Sequence, residues 1–149
     1  MGSTFVTLGR DASGNPASSD EQVGFWVQDS ILELWLRLLA LHIKDPERNG
    51  DVANTIRNQW LLASRHHFIG CVPHFFEEAT STAEGFRLVD DAVRSLSAVL
   101  TSAKDHMCGD TLSLMCFESE WGDVEIAVLR DLATAFRDLL TTTRANIRC

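Results

Sequence analysis

Apolar residues recur at helical spacing over long stretches of this chain. The first stretch begins near Gln22, which together with Ser19 has the spacing of a capping box, and ends at Lys44, before Asp45-Pro46. Its main polar residues lie four or seven positions apart and share one narrow stripe of a helix: Gln22, Asp29, Glu33, Arg37 and Lys44. The rest of the circumference is apolar, so we expect other helices or a second copy of the chain to enclose this first predicted helix.

Further helices are predicted in the middle of the chain. Asp51 is a good N-cap for a second helix that continues to about Phe68 and stops at Gly70. Pro73 then redirects the chain, and residues 74–79 are expected to form one short turn or helix. A capping-box spacing at Ser81 and Glu84 starts a long helix, whose apolar seam has residues three and four apart: Phe86, Val89, Val93, Leu96, Leu100 and Ala103.

Two more helices are predicted towards the C-terminus, a short one capped by Asp110 and a last one capped by Asp123. No segment shows the sustained period-two pattern typical of strands. The predicted fold is therefore all-α: a single-domain bundle of five or six helices over residues 21–149, with a flexible N-terminal arm over the Gly- and Ser-rich residues 1–20. The predicted core contains Leu34, Leu38, Trp60, Val93, Leu96, Leu132 and Phe136.

The composition agrees with one folded domain and gives the chain a strongly acidic balance. Of the 149 residues, 45% are hydrophobic and 23% are charged, which is ordinary for a globular protein. The net charge is −8, and the thirteen Lys and Arg residues are scattered rather than clustered. Because a nucleic-acid backbone repels such a surface, we expect no nucleic-acid partner and favour a basic protein instead.

Nothing in the sequence predicts secretion or a membrane anchor. Residues 1–10 have neither a basic start nor a long apolar core, and the four cysteines include no C-x-x-C pair. The longest apolar segment, residues 31–43, contains Glu33, Arg37 and His42 and is too short to span a bilayer. We therefore expect a cytoplasmic protein with reduced thiols and no membrane partner.

An acidic stretch from Asp105 to Leu129 is the most informative candidate site. It holds six acids and neither lysine nor arginine, with large apolar side chains between the acids. Aromatic anchors surrounded by charge are enriched in protein interfaces. The predicted partner-binding residues are Glu118, Glu120, Trp121, Asp123 and Glu125. The alternative, held about equal, is a solvated loop followed by a helical turn in which acids meet the helix dipole.

Two tryptophans and a group of histidines supply the other candidates. Trp26 lies on the polar stripe of the first predicted helix, and Trp121 stands between Glu120 and Gly122, so both are expected to be exposed anchors. An alternative metal site uses His67, Cys71, His74 and His106. Its spacing fits the paired ligands of structural zinc sites only in part, so no metal or other cofactor is the main expectation.

No common phosphate, dinucleotide, hydrolase or metalloprotease motif occurs in the chain, so we expect no enzyme. In composition and predicted fold class the chain is similar to bacterial immunity proteins and antitoxins. This likeness implies a non-catalytic binding protein that neutralises a basic toxin or effector through an acidic surface. Two alternatives stay open: a metal-dependent helical-bundle enzyme that uses the His/Cys group, and a homodimeric structural module.

Overall fold

The computed structural model of the chain describes residues 2–44, 50–65, 71–102, 106–107 and 124–144. Five helices lie in these ranges: α1 (Asp29–Leu41), α2 (Gly50–Ala63), α3 (Phe76–Ala79), α4 (Ala83–Ser102) and α5 (Ile126–Arg144). Four strands accompany them: β1 (Ser3–Thr7), β2 (Gly24–Gln28), β3 (His106–Met107) and β4 (Val124–Glu125). The described part of the chain is therefore mostly helical, but it is mixed rather than all-α.

The N-terminal segment differs most from the prediction. β1 pairs with β2 in an antiparallel hairpin, with Ser3 opposite Gln28, and a second short pair joins β3 to β4. Val6 and Leu8 are buried in the core, where a flexible arm was expected. These strands make the all-α prediction wrong. Residues without a helical pattern are held in place by strand pairing and by burial.

The start of the first predicted helix is also wrong. The carbonyl of Ser18 accepts hydrogen bonds from the amides of Glu21 and Gln22, so this segment is a turn rather than a helix cap. Strand β2 follows, and α1 begins only at Asp29. Gly24 is needed for the pairing, because a Cβ atom at this position would lie 2.0 Å from the carbonyl oxygen of Val6 on β1.

Helix α1 is the central helix of the fold, as its apolar circumference predicted. Helices α2 and α4 and both strands of the hairpin pack around it. The part of the polar stripe that lies on α1 is enclosed as well, since Asp29, Glu33 and Arg37 are all buried. The guanidinium of Arg37 donates a hydrogen bond to the hydroxyl of Ser64 just after α2, at 3.2 Å. Buried polar groups of this kind need partners, and here one of them ties α1 to the end of α2.

An aromatic cluster joins the hairpin to the helices. The ring of Phe136 on α5 lies 5.1 Å from that of Phe25, 5.4 Å from that of Trp35 and 4.7 Å from that of Phe76, centre to centre. These neighbours belong to β2, α1 and α3, so four elements meet at one side chain. All seven predicted core residues are buried, which confirms the apolar faces inferred from spacing.

Helices α4 and α5 pack against each other over much of their length. The guanidinium of Arg130 donates a hydrogen bond to the carbonyl of Leu100, at 2.8 Å, and so satisfies one of the free carbonyls in the last turn of α4. Among the described residues, no helix combines the length and the hydropathy needed to cross a membrane.

Candidate functional site

Most of the predicted acidic site lies outside the described residues. This holds for Glu118, Glu120, Trp121 and Asp123, while Glu125 ends β4 directly before α5. The grouping of these side chains into one partner-binding surface therefore stays a prediction. The structure does show that the chain passes from Glu125 straight into α5, which lines a groove described below.

His74 is held by backbone groups on every side. The amide of Phe76 donates to Nδ1 at 3.2 Å, so the ring proton resides on Nε2, which lies 3.3 Å from the carbonyl oxygen of Phe5 and donates to it. The carbonyl of His74 itself accepts a hydrogen bond from the indole of Trp60 at 3.0 Å. With both ring nitrogens engaged, this histidine works as a structural link between β1, α2 and α3.

The surroundings of His74 favour its neutral form. Burial lowers the pKa of its imidazole, and this effect outweighs the hydrogen bond to Phe5 and the charge of Glu78, which both act to raise that pKa. Its ring also stacks on that of Phe76, with 5.1 Å between the centres. Protonation would place a charge in this packed position.

We therefore expect stability to depend on His74 at mildly acidic pH. The folded-state pKa lies below the ordinary value of 6.5, so the unfolded chain binds the proton first. The stabilisation is complete above about pH 6.5 and falls towards the folded-state pKa, with a slope of at most about 1.4 kcal/mol per pH unit. Urea unfolding between about pH 7 and pH 5 measures this slope, and His74→Gln should flatten it.

His42 supplies the control for this experiment. Burial lowers its pKa too, and its Nδ1 lies 2.8 Å from the hydroxyl of Ser95. In His42→Gln, the free energy of unfolding should still depend on pH through His74. Equal slopes in the parent chain and in His74→Gln would contradict the expected role of His74.

The described residues place two members of the alternative metal site, Cys71 and His74, along one groove. Cys71 is exposed and lines the same groove as His74, whereas His67 lies outside the described residues and His106 forms part of β3. Across the described ranges, no group of three or more His, Cys, Asp or Glu side chains is arranged to hold a metal ion. His74 would also have to give up a backbone hydrogen bond before it bound a metal.

A groove of about 370 Å³ runs between the hairpin and the segment before α3. We call it the hairpin groove; Phe5 and Trp26 line it on one side and residues 71–75 with Glu77 and Glu78 on the other. Phe75 in its wall has φ +57°, a left-handed conformation that is uncommon for a bulky residue. This turn places the exposed carboxylates of Glu77 and Glu78 beside the aromatic side chains.

A second groove, of about 340 Å³, lies between β2 and α5. We call it the edge groove; residues 25–28 and Ile31 line one side and four residues of α5 line the other: Val128, Asp131, Leu132 and Ala135. A third groove of about 300 Å³, the α2 groove, lies between α2 and the segment from α3 to Thr82, and it includes Asp51 and Glu78.

These three grooves form one acidic band, because neighbouring grooves share residues. Trp26 lines both the edge groove and the hairpin groove, and Glu78 lines both the hairpin groove and the α2 groove. The band contains Asp51, Glu77, Glu78 and Asp131, and among the described residues no lysine or arginine lines any of the three grooves. Carboxylates around aromatic rings can attract a positively charged group.

Trp26 was found from the sequence, but on an incorrect structural argument. It is 70% exposed, as predicted for an anchor, yet it lies in a strand rather than on the polar stripe of a helix. Val128 on α5 is also partly open to solvent, with 42% of its surface exposed. Sequence reasoning missed Phe5 and Asp131 as lining residues. Phe5 comes close to Trp26 through the pairing of β1 with β2, and Asp131 shares a groove with Trp26 because α5 lies beside β2.

Comparisons of the chain with protein-family models, with curated proteins and with solved structures gave no significant match.

Proposed function

We propose that this chain is a non-catalytic binding protein of the immunity or antitoxin type, which neutralises a basic protein partner, a toxin or an effector. The observation that carries the proposal is the acidic band, in which the described lining residues of three connected grooves include four acids and neither lysine nor arginine. The net charge of −8 acts in the same direction, because it draws a basic partner towards the chain before contact.

Trp26 adds an exposed aromatic anchor to the acidic band. Its ring packs on that of Phe5, with 5.4 Å between the centres, yet most of its surface is open to solvent. Large aromatic side chains that become buried on association contribute much of the affinity of protein interfaces. A tryptophan between two acidic grooves fits a partner that presents both apolar and basic side chains.

The predicted acidic residues extend this surface along the chain. Glu125 precedes α5 directly, and Val128 and Asp131 of the edge groove follow in the first turns of that helix. We propose that Glu118, Glu120, Trp121, Asp123 and Glu125 add to the partner-binding surface. In this arrangement the two exposed-anchor candidates, Trp26 and Trp121, engage the same partner.

Charge reversal tests the proposal. The variant Glu120→Lys with Asp123→Lys should fold normally but bind the co-purified basic partner with an association rate lowered about tenfold or more. Raising the salt from about 0.01 M to about 1 M should slow association with the parent chain in the same way, since the Debye length falls from about 30 Å to about 3 Å. Stopped-flow fluorescence measures both rates.

The matched control places the same charge change elsewhere. Glu84 and Asp138 are exposed and line none of the three grooves, so Glu84→Lys with Asp138→Lys should slow association only through the net charge. If both double variants behave alike, the effect belongs to net charge rather than to this surface. Association that neither salt nor charge reversal changes would contradict the proposal.

Two measurements on the purified chain address the alternative functions. Stoichiometric zinc or iron without a partner would favour the metal-dependent enzyme that uses His67, Cys71, His74 and His106. A dimeric mass in solution would favour the homodimeric module. Recovery of a basic protein at equal stoichiometry and without metal supports the neutralising function.

A further inference from the structure

The edge groove lies at the free edge of the hairpin. Four consecutive residues of β2 line it, whereas a groove on one face of a strand would be lined by alternate residues. None of the residues of β1 lines it, so the groove is on the side of β2 opposite β1. A strand edge exposes backbone donors and acceptors that another strand can use.

The pairing register shows which backbone groups face this groove. Directly after β2, the amide of Asp29 donates to the carbonyl of Gly2 at 3.0 Å, which makes these two residues a hydrogen-bonded pair. Bonded and non-bonded pairs alternate along an antiparallel ladder. Phe25 and Val27 are therefore bonded to β1, while the amide and the carbonyl of Trp26, opposite Phe5, point away from β1 into the edge groove.

The opposite side of the groove suits an extended chain with two kinds of side chain. Val128, Leu132 and Ala135 are spaced four and three apart along one face of α5 and form an apolar floor. Asp131 adds an exposed carboxylate to this floor, and the part of the chain that the structure describes places no lysine or arginine in the groove lining. A strand laid along β2 alternates its side chains, so apolar residues can face the floor while basic residues reach the acid and the solvent.

We propose that the edge groove binds an extended basic segment of the partner protein, which adds to β2 as a third strand. This inference rests on the proposed function and specifies how the partner is held. Backbone hydrogen bonds to Trp26 supply the strand pairing, the apolar floor selects alternate residues, and Asp131 selects a positive charge.

The first test uses short synthetic peptides and the full chain. A fluorescent peptide of alternating lysine and valine should bind, and its counterpart of alternating glutamate and valine should bind at least about tenfold more weakly, equivalent to about 1.4 kcal/mol. Two further lysine–valine peptides carry N-methyl groups on either the odd or the even backbone amides. Only the set that faces β2 should lose binding, again by about tenfold or more.

Protein variants locate the binding. Asp131→Lys and Val128→Lys should each weaken binding of the lysine–valine peptide about tenfold. The controls Asp138→Lys and Leu62→Lys make the same changes at exposed positions outside the groove, and they should leave the affinity within about twofold. Circular dichroism of each variant shows that the fold is kept.

Three results would overturn the inference: no peptide binds, both N-methylated peptides bind equally, or the chain alone forms a dimer that Val128→Lys dissociates. The last result would assign the edge groove to a second copy of the chain. If charge reversal at Glu120 and Asp123 still slows association with the basic partner, the proposed function survives and only the strand-addition mode is rejected. If only one N-methylated peptide loses binding but neither salt nor charge reversal changes association with the partner, strand addition at the edge groove is supported and the proposed function is rejected.

Discussion

Phe136→Ala is expected to lower the free energy of unfolding by about 3–5 kcal/mol. The side chain is fully buried and its ring contacts those of Phe25, Trp35 and Phe76, so truncation leaves a cavity where the hairpin, α1, α3 and α5 meet. Since a whole domain is stable by only about 5–15 kcal/mol, a large part of the native stability would be lost. Chemical denaturation measures the change.

Two companion variants make the result specific. Phe136→Leu keeps most of the volume and should cost less than about 1.5 kcal/mol if the neighbouring rings repack. Leu62→Ala removes a leucine side chain that is 59% exposed on α2 and should change stability by less than about 0.5 kcal/mol. A small loss for Phe136→Ala would show that the rings do not form one core in solution.

The helical part of the fold was predictable because its pattern is long and regular. The seam from Phe86 to Leu100 repeats over several turns, and α4 indeed runs from Ala83 to Ser102. The strands were not predictable in this way. β1 and β2 have five residues each, too few to establish a period, and their pairing spans residues that are far apart in the sequence.

Some signals for the strands were nevertheless present. Phe25, Trp26 and Val27 are consecutive aromatic and β-branched residues, the types that favour strands, and β1 contains Phe5 and Val6 between threonines. The spacing of Ser19 and Gln22 nevertheless predicted a helix start. The chain forms strand β2 instead, because the burial of Val6 and Val27 stabilises the hairpin more than a capping box stabilises a helix.

The residue types of the described surface, acids beside an exposed tryptophan, were predictable, but the position of this surface in the fold was not. Acidity and exposed tryptophan were both inferred from the sequence, and the described surface combines them around Trp26. The combination depends on strand register, which brings Phe5 opposite Trp26, and on the packing of α5 beside β2. Neither the strand register nor the packing of α5 can be inferred from the spacing of residues along the chain.

Thr4→Val is expected to lower the free energy of unfolding by about 2–6 kcal/mol, although it changes neither shape nor volume much. The buried hydroxyl of Thr4 donates to the carboxylate of Asp29 at 2.7 Å and accepts a hydrogen bond from the amide of Val72 at 2.9 Å. Valine would leave a buried donor unsatisfied and remove a hydrogen bond to a buried carboxylate, and each loss costs about 1–3 kcal/mol. Denaturation with urea measures the sum.

The hydroxyl group, rather than the packing of Thr4, is the tested feature. Thr4→Ser keeps the hydroxyl and should recover most of the loss, whereas Thr134→Val removes an exposed hydroxyl that bonds only within its own helix and should cost less than about 0.5 kcal/mol. Hydrogen exchange adds a local readout, because the amide of Val72 should exchange faster in Thr4→Val and stay protected in Thr4→Ser. Since this one hydroxyl connects β1 to the start of α1 and to a wall of the hairpin groove, its loss should also loosen the surface around Trp26. Equal protection of Val72 in both variants would mean that the groove wall is held without the hydroxyl of Thr4.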